Sequence, residues 1–223
     1  MKTTEQKRKE LFQLAKRRKK DRLKPHACLD DFHNGFYECD HVSPWSKSAC
    51  NVDAKVMIIG KDWGASIPLE KEPDEDRRRL GQTYLKLTNV NLREYLGHMG
   101  LEFSQTYATN VFPFIKRGHI RQPDMVYCAR TYTLPQIEII SPRMAICLGK
   151  PAFDAVCSAA ELHPKDWSKA RIPRIHISSV EIYGLPHPAA RPINTGGKEV
   201  VGRSWRLLGQ RLQHMRKRDN QRN

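Results

Sequence analysis

Apolar residues fall along this chain in two kinds of block. Short continuous runs that end in Gly or a polar residue read as strands covered on both faces, while longer blocks spaced three or four apart read as helices. Lys55-Val-Met-Ile-Ile-Gly60 is the first run of the strand kind. Residues 106–111 (Thr-Tyr-Ala-Thr-Asn-Val) and Arg143-Met-Ala-Ile-Cys-Leu-Gly149 are the next two, and Arg174 to Pro186 supplies one or two more. Helical spacing occurs over residues 5–23, where Leu11, Leu14 and Ala15 make a thin apolar stripe. It recurs through Leu85, Leu87, Leu92, Tyr95, Leu96 and Met99, over 124–140 up to Pro142, after Pro151, and from Trp205 to Met215. Residues 25–53, with many Pro, Gly, Asn, Asp and Ser, predict an ordered but irregular lead-in. Glu70 to Arg79 predicts a mobile surface loop, and Phe112 to Pro123 another.

Strands separated by helices predict an α/β fold of three layers, α/β/α, around a central, mostly parallel four-stranded sheet. The predicted divisions are a basic N-terminal helix or arm (1–25), a single α/β domain (26–215) and a basic tail (216–223). Ligands of such sheets sit beyond the carboxyl ends of the strands. Lys61 and Asp62, Asn110, Lys150 and His187 all fall at strand ends, so they are expected to meet in one crevice.

Charge adds a partner to this picture. Of the formal net charge of +15 over 223 residues, +8 lies in residues 1–25 and +6 in residues 203–223. A near-neutral body with two cationic ends suits a polyanion such as DNA, although basic helices that merely aid solubility have the same composition. No run of about 18 apolar residues predicts a membrane span, and the N-terminus lacks the apolar core of a secretory signal. A cytoplasmic protein with access to DNA is therefore expected, with its six cysteines mostly as thiols; it is further expected to be a monomer, nucleoid-associated when on DNA. Cys147 and Cys157 read as core packing. Cys28, Cys39 and Cys50, near His33 and His41, match no close-pair metal knuckle, and a metal there is left open.

Three strand ends carry recognisable motifs. Ile59-Gly60-Lys61-Asp62-Trp63-Gly64 resembles the first motif of uracil-DNA glycosylases, and Thr109-Asn110-Val111 resembles their central strand. Leu185-Pro186-His187-Pro188-Ala189-Ala190-Arg191 resembles the His-Pro segment that leads into their duplex-penetrating loop. Tyr132 through Gly149 resembles the helix-Pro-strand-Gly stretch of the small-uracil-glycosylase branches. The resemblance spans about residues 55 to 215, in the family's order. It departs from the iron–sulfur branches: Cys128 matches one of four cluster cysteines, and Phe114 stands where another is needed.

The resemblance implies a monofunctional DNA repair glycosylase that flips uracil, or another deaminated base, out of single- or double-stranded DNA and hydrolyses its N-glycosidic bond. Asp62 would activate water and stabilise the cationic sugar, and His187 would stabilise the departing base. Asn110 would read the base, an amide being able to pair with the N3–H and O4 of uracil but not with cytosine. Gly60, Lys61, Trp63 and Tyr84 would complete the base pocket, with Tyr84 as the stacking ring. Ser66, Lys116, Arg117, His119, Lys150, Ala190 and Arg191 would contact DNA, Ala190 and Arg191 within the wedge that enters the base stack. Water is the nucleophile, so neither a metal nor an organic cofactor is called for. Gly64 stands where the long-known enzymes carry the bulky residue that excludes thymine, which leaves that exclusion to Trp63 or makes it incomplete. Two alternatives stay open: a DNA-binding or covalently trapping member of the same fold, with His119 as the trapping group, and an α/β enzyme acting on free nucleotides.

Overall fold

A computed structural model describes residues 2–163, 172–189 and 197–220. Five strands form one sheet: β1 (Val56–Asp62), β2 (Tyr107–Phe112), β3 (Met144–Leu148), β4 (Arg174–Ile177) and β5 (Val180–Leu185), in the order β2-β1-β3-β5-β4. The pairs β1–β2, β1–β3 and β3–β5 are parallel, and β4 runs antiparallel to β5 at the edge. The four parallel strands expected from the sequence are present, and the Arg174–Pro186 segment divides into β5 and this extra edge strand. Its alternation of half-buried and exposed residues differs from the wholly buried β5, as an edge strand does when one face meets water.

Eight helices accompany the sheet among the described residues: α1 (Thr4–Lys20), α2 (Ser66–Lys71), α3 (Glu75–Leu80), α4 (Leu87–Gly97), α5 (Gln122–Cys128), α6 (Leu134–Ile140), α7 (Lys150–Ala159) and α8 (Lys198–Asn220). Alternate β1 residues explain the three layers. Met57 and Ile59 pack with α5, α6 and α7 residues such as Met125, Ile137 and Phe153. Val56 and Ile58 face the other way, onto Leu92 and Tyr95 of α4 and Trp205 of α8. Trp205 is fully buried and stacks on Tyr95, with centroids 5.8 Å apart and planes 13° apart.

The expected helix over 124–140 is interrupted by a π turn at Ala129–Thr133. Pro135, at the start of α6, has no N–H to donate back along the helix, so the ladder shifts register there. The expected surface loop at 70–79 is instead mostly helical, from the end of α2 into α3. Asp74 caps α3 by accepting from the Arg77 N–H at 2.9 Å. Acids fill its first turn and Arg77, Arg78 and Arg79 its last, the arrangement that complements a helix dipole.

The irregular lead-in is tied to the sheet. Ala27 and Ile115 exchange backbone hydrogen bonds of 3.0 and 2.8 Å, and Ala108 of β2 donates to the Ala49 carbonyl at 2.9 Å. Helix α1 is docked as well: its Arg18 is fully buried, bonded to Glu38 and to the carbonyls of Cys39 and His41. That cation serves the fold rather than a free basic surface. No described helix is long and apolar enough to cross a membrane.

Candidate active site

The carboxyl ends of β1, β2 and β5 open onto a cleft of about 580 Å³. The first of these strands shows how the site forms. Its apolar run is buried through Gly60, and Lys61 and Asp62 then emerge half-buried as the strand leaves the sheet. Asp62 retains 10% side-chain exposure, and Lys116 bridges its carboxylate, with Nζ 2.9 Å from Oδ1 and 3.1 Å from Oδ2. A second ammonium, that of Lys61, stands 3.8 Å from Oδ2. Lys116 is itself built in. Its N–H donates to the Gly64 carbonyl at 3.3 Å, and its carbonyl accepts from the Ser66 N–H at 3.1 Å.

Asn110 lies opposite Gly60 in the β1–β2 register. The absence of a side chain at Gly60 makes room for its amide: a Cβ there would stand 2.4 Å from Asn110 Nδ2 and 3.1 Å from the Trp45 ring. Asn110 is 4% exposed, and its Oδ1 accepts a 2.6 Å hydrogen bond from the Ser43 hydroxyl.

His187 follows β5. Its Nδ1 accepts from the Ala189 N–H at 3.2 Å, so the neutral ring carries its proton on Nε2. Burial pushes the imidazole below its usual range, Asp62 pulls the other way, and Lys86 lowers it further. The turn is held by Asn91 of α4, whose Nδ2 donates to the Pro188 carbonyl at 2.9 Å. Gly149 sits against it at φ +90°, a backbone state that disfavours any residue with a side chain.

Of the residues singled out in the sequence, Gly60, Lys61, Asp62, Trp63, Asn110, Lys116 and His187 line the cleft together. Trp63 forms a fixed wall: its indole N–H donates to the Gly81 carbonyl at 2.6 Å, Tyr37 meets its ring edge-on, and the Arg77 guanidinium lies 5.4 Å over it. Tyr84 is not brought into the cleft. It is 46% exposed, with the Arg93 guanidinium 3.9 Å over its ring. Lys150 lies outside the lining too, paired with Asp154 at 2.5 Å, while its neighbours Gly149 and Pro151 reach the site. Ser66 is buried beside Lys116, and Arg117 and His119 are exposed on the loop after β2, outside the lining. Ala190 and Arg191 fall outside the described residues.

The sequence reading missed Trp45, Arg77, Gln82, Thr83 and Lys86 in the lining. Of these only Trp45 carried a signal, as a large apolar residue in a polar segment. Four lining cations, Lys61, Arg77, Lys86 and Lys116, face one lining acid, Asp62, an excess that attracts an anionic ligand. The buried cysteines belong to the core, where burial raises the Cys128 and Cys147 thiols above their usual range. Among the described residues no cluster of three or more His, Cys, Asp or Glu is placed to hold a metal ion.

No curated protein matches this chain. The family model of the uracil DNA glycosylase superfamily matches residues 47–209, which contain the five strands and Asp62, Asn110 and His187, and the chain belongs to that superfamily.

Proposed function

We propose that this protein is a DNA glycosylase that excises uracil by hydrolysis, with Asp62, Asn110 and His187 at the reacting base and sugar. The observation that carries the reading is the convergence of a carboxylate, a buried amide and a neutral imidazole, from three separate strand ends, on one cationic cleft. Each group fits one demand of the reaction. Breaking an N-glycosidic bond leaves positive charge on the sugar and negative charge on the base. Asp62 offsets the first and orients the attacking water, held in place by Lys116. His187 meets the second by donating from Nε2 to the base oxygen where charge collects. Asn110 pairs with the polar edge of the flipped base, its amide packed beside Gly60 in the cleft lining. Lys61, Arg77 and Lys86 lie at the same cleft, where phosphates flanking the flipped nucleotide need cations. Trp63 is the wall available to exclude a 5-methyl group.

The test is release of free uracil from a uracil-containing oligonucleotide by the purified protein. Asp62→Asn keeps the side-chain shape and removes the charge, and it is expected to slow release by about 10²–10⁴-fold. Equal rates for wild type and Asp62→Asn would overturn the role given to this carboxylate.

A further inference from the structure

The segment that precedes the family-matched residues reaches the base-reading end of the cleft, and Ser43 is its contact. Ser43 is fully buried. Its Oγ accepts from the Trp45 N–H at 3.3 Å, so the hydroxyl proton is left for Asn110 Oδ1, 2.6 Å away. Turning the Asn110 amide over would set its NH2 group, a donor, where the Ser43 hydroxyl proton now points. It would also strand a buried hydroxyl proton, a costly state inside a protein. With the oxygen held from behind, Nδ2 lies on the Gly60 side of the cleft and has no hydrogen-bond partner among the described residues.

We infer that Ser43 is a positioning residue for base selection: it fixes Asn110 with its donor toward the cleft, so that the site takes bases with a ring carbonyl at that edge, such as the 4-oxo group of uracil, over 4-amino bases such as cytosine. The inference rests on the base-excision reading above and deepens it. A carbonyl satisfies Nδ2, whereas an exocyclic amino group opposes donor to donor and leaves both unpaired. The second lone pair of Oδ1 stays open to the N3–H of uracil. Selection is thus set partly by a residue outside the stretch common to the family, residues 47–209.

The experiment compares wild type, Ser43→Ala, Asn110→Ala and the double variant on oligonucleotides carrying one uracil or one unpaired cytosine. Ser43→Ala is expected to lower uracil release about 10-fold and to narrow the uracil-to-cytosine preference, with its melting temperature close to wild type. It should add nothing in the Asn110→Ala background, because it acts through that amide. Ser43→Cys, nearly the same size with a weaker donor, should fall between wild type and Ser43→Ala. An unchanged rate and preference in Ser43→Ala, or an equal loss with and without Asn110, would overturn the inference. Side-chain amide NMR separates this outcome from failure of the excision reading. One Asn110 amide orientation close to Gly60 in wild type, averaged in Ser43→Ala, supports the lock even for a protein that releases no base. Averaging already in wild type refutes it.

Discussion

Lys116 and Asp62 are 54 residues apart in sequence, and the Lys116 ammonium lies within 3.1 Å of both oxygens of the Asp62 carboxylate. The pairing joins the loop after β2 to the end of β1, and it decides how the carboxylate is oriented across the cleft. Removing the ammonium with Lys116→Met is expected to lower kcat about 10-fold. A hydrogen bond to a charged group contributes about 1.5 kcal/mol, close to one factor of ten in rate. Single-turnover kinetics checks this, and a fall in DNA affinity with kcat intact would mean that Lys116 serves only the phosphate backbone.

The His187 imidazole is held below its ordinary value by burial and by Lys86. It is therefore neutral at pH 7, and protonation at lower pH would set a second N–H against that of Ala189. The acid limb of the activity profile should lie below pH 6.5, near which an unperturbed histidine titrates. Lys86→Met removes a cation that disfavours the charged ring, so it should move that limb to higher pH. A limb that stays in place in this variant would show that another group controls it.

Gly60→Ala tests the close approach of β1 and β2 at the proposed base site. The added methyl would stand 2.4 Å from Asn110 Nδ2, too near to be accommodated without displacing the amide. Uracil release is expected to fall at least 10-fold, with a loss of stability no larger than about 1–3 kcal/mol for an overpacked site. Chemical denaturation beside the activity assay separates the two effects.

Away from the cleft, Glu181 anchors α8 to β5. Burial alone would raise its carboxyl, but hydrogen bonds from Arg211 and Tyr183 and the nearby Arg174 bring it down to about 2. A depressed acid contributes stability above its unfolded value near 4.5 and loses it as the pH falls toward 2. Each tenfold change in acidity corresponds to roughly 1.4 kcal/mol, and water around the 40%-exposed Arg211 screens part of the attraction. Glu181→Gln should then cost about 1–3 kcal/mol at pH 7. The cost should shrink steadily below pH 4.5 in thermal melts. A pH-independent difference would assign the loss to packing instead.

What is legible in the sequence rests on local patterns. Val56 to Gly60 is apolar without interruption because a parallel strand is covered on both faces, and the polar residues that follow such a strand must lie where the sheet ends. That logic was enough to bring Asp62, Asn110 and His187 to a single place. Tyr84, given its stacking role by the family resemblance alone, lies outside the lining with its ring against Arg93, and the aromatic walls there come from Trp45 and Trp63. Local pattern also misled at 70–79 because a short charged segment looks the same in a loop and in a surface helix. The sign that separated them was the order of the charges, acids first and arginines last.

The sequence by itself determined the layered α/β architecture and the strand ends that meet at the cleft, because covering a strand on both faces constrains its residues one after another. Only the tertiary structure decided which partners those groups meet. Ser43 against Asn110, Lys116 against Asp62 and Asn91 against the His187 turn are contacts across 67, 54 and 97 residues. Such pairs leave no periodic trace in the chain, since a single hydrogen bond asks for one residue at one place. The path of the lead-in and the loops across the mouth of the sheet sets that place.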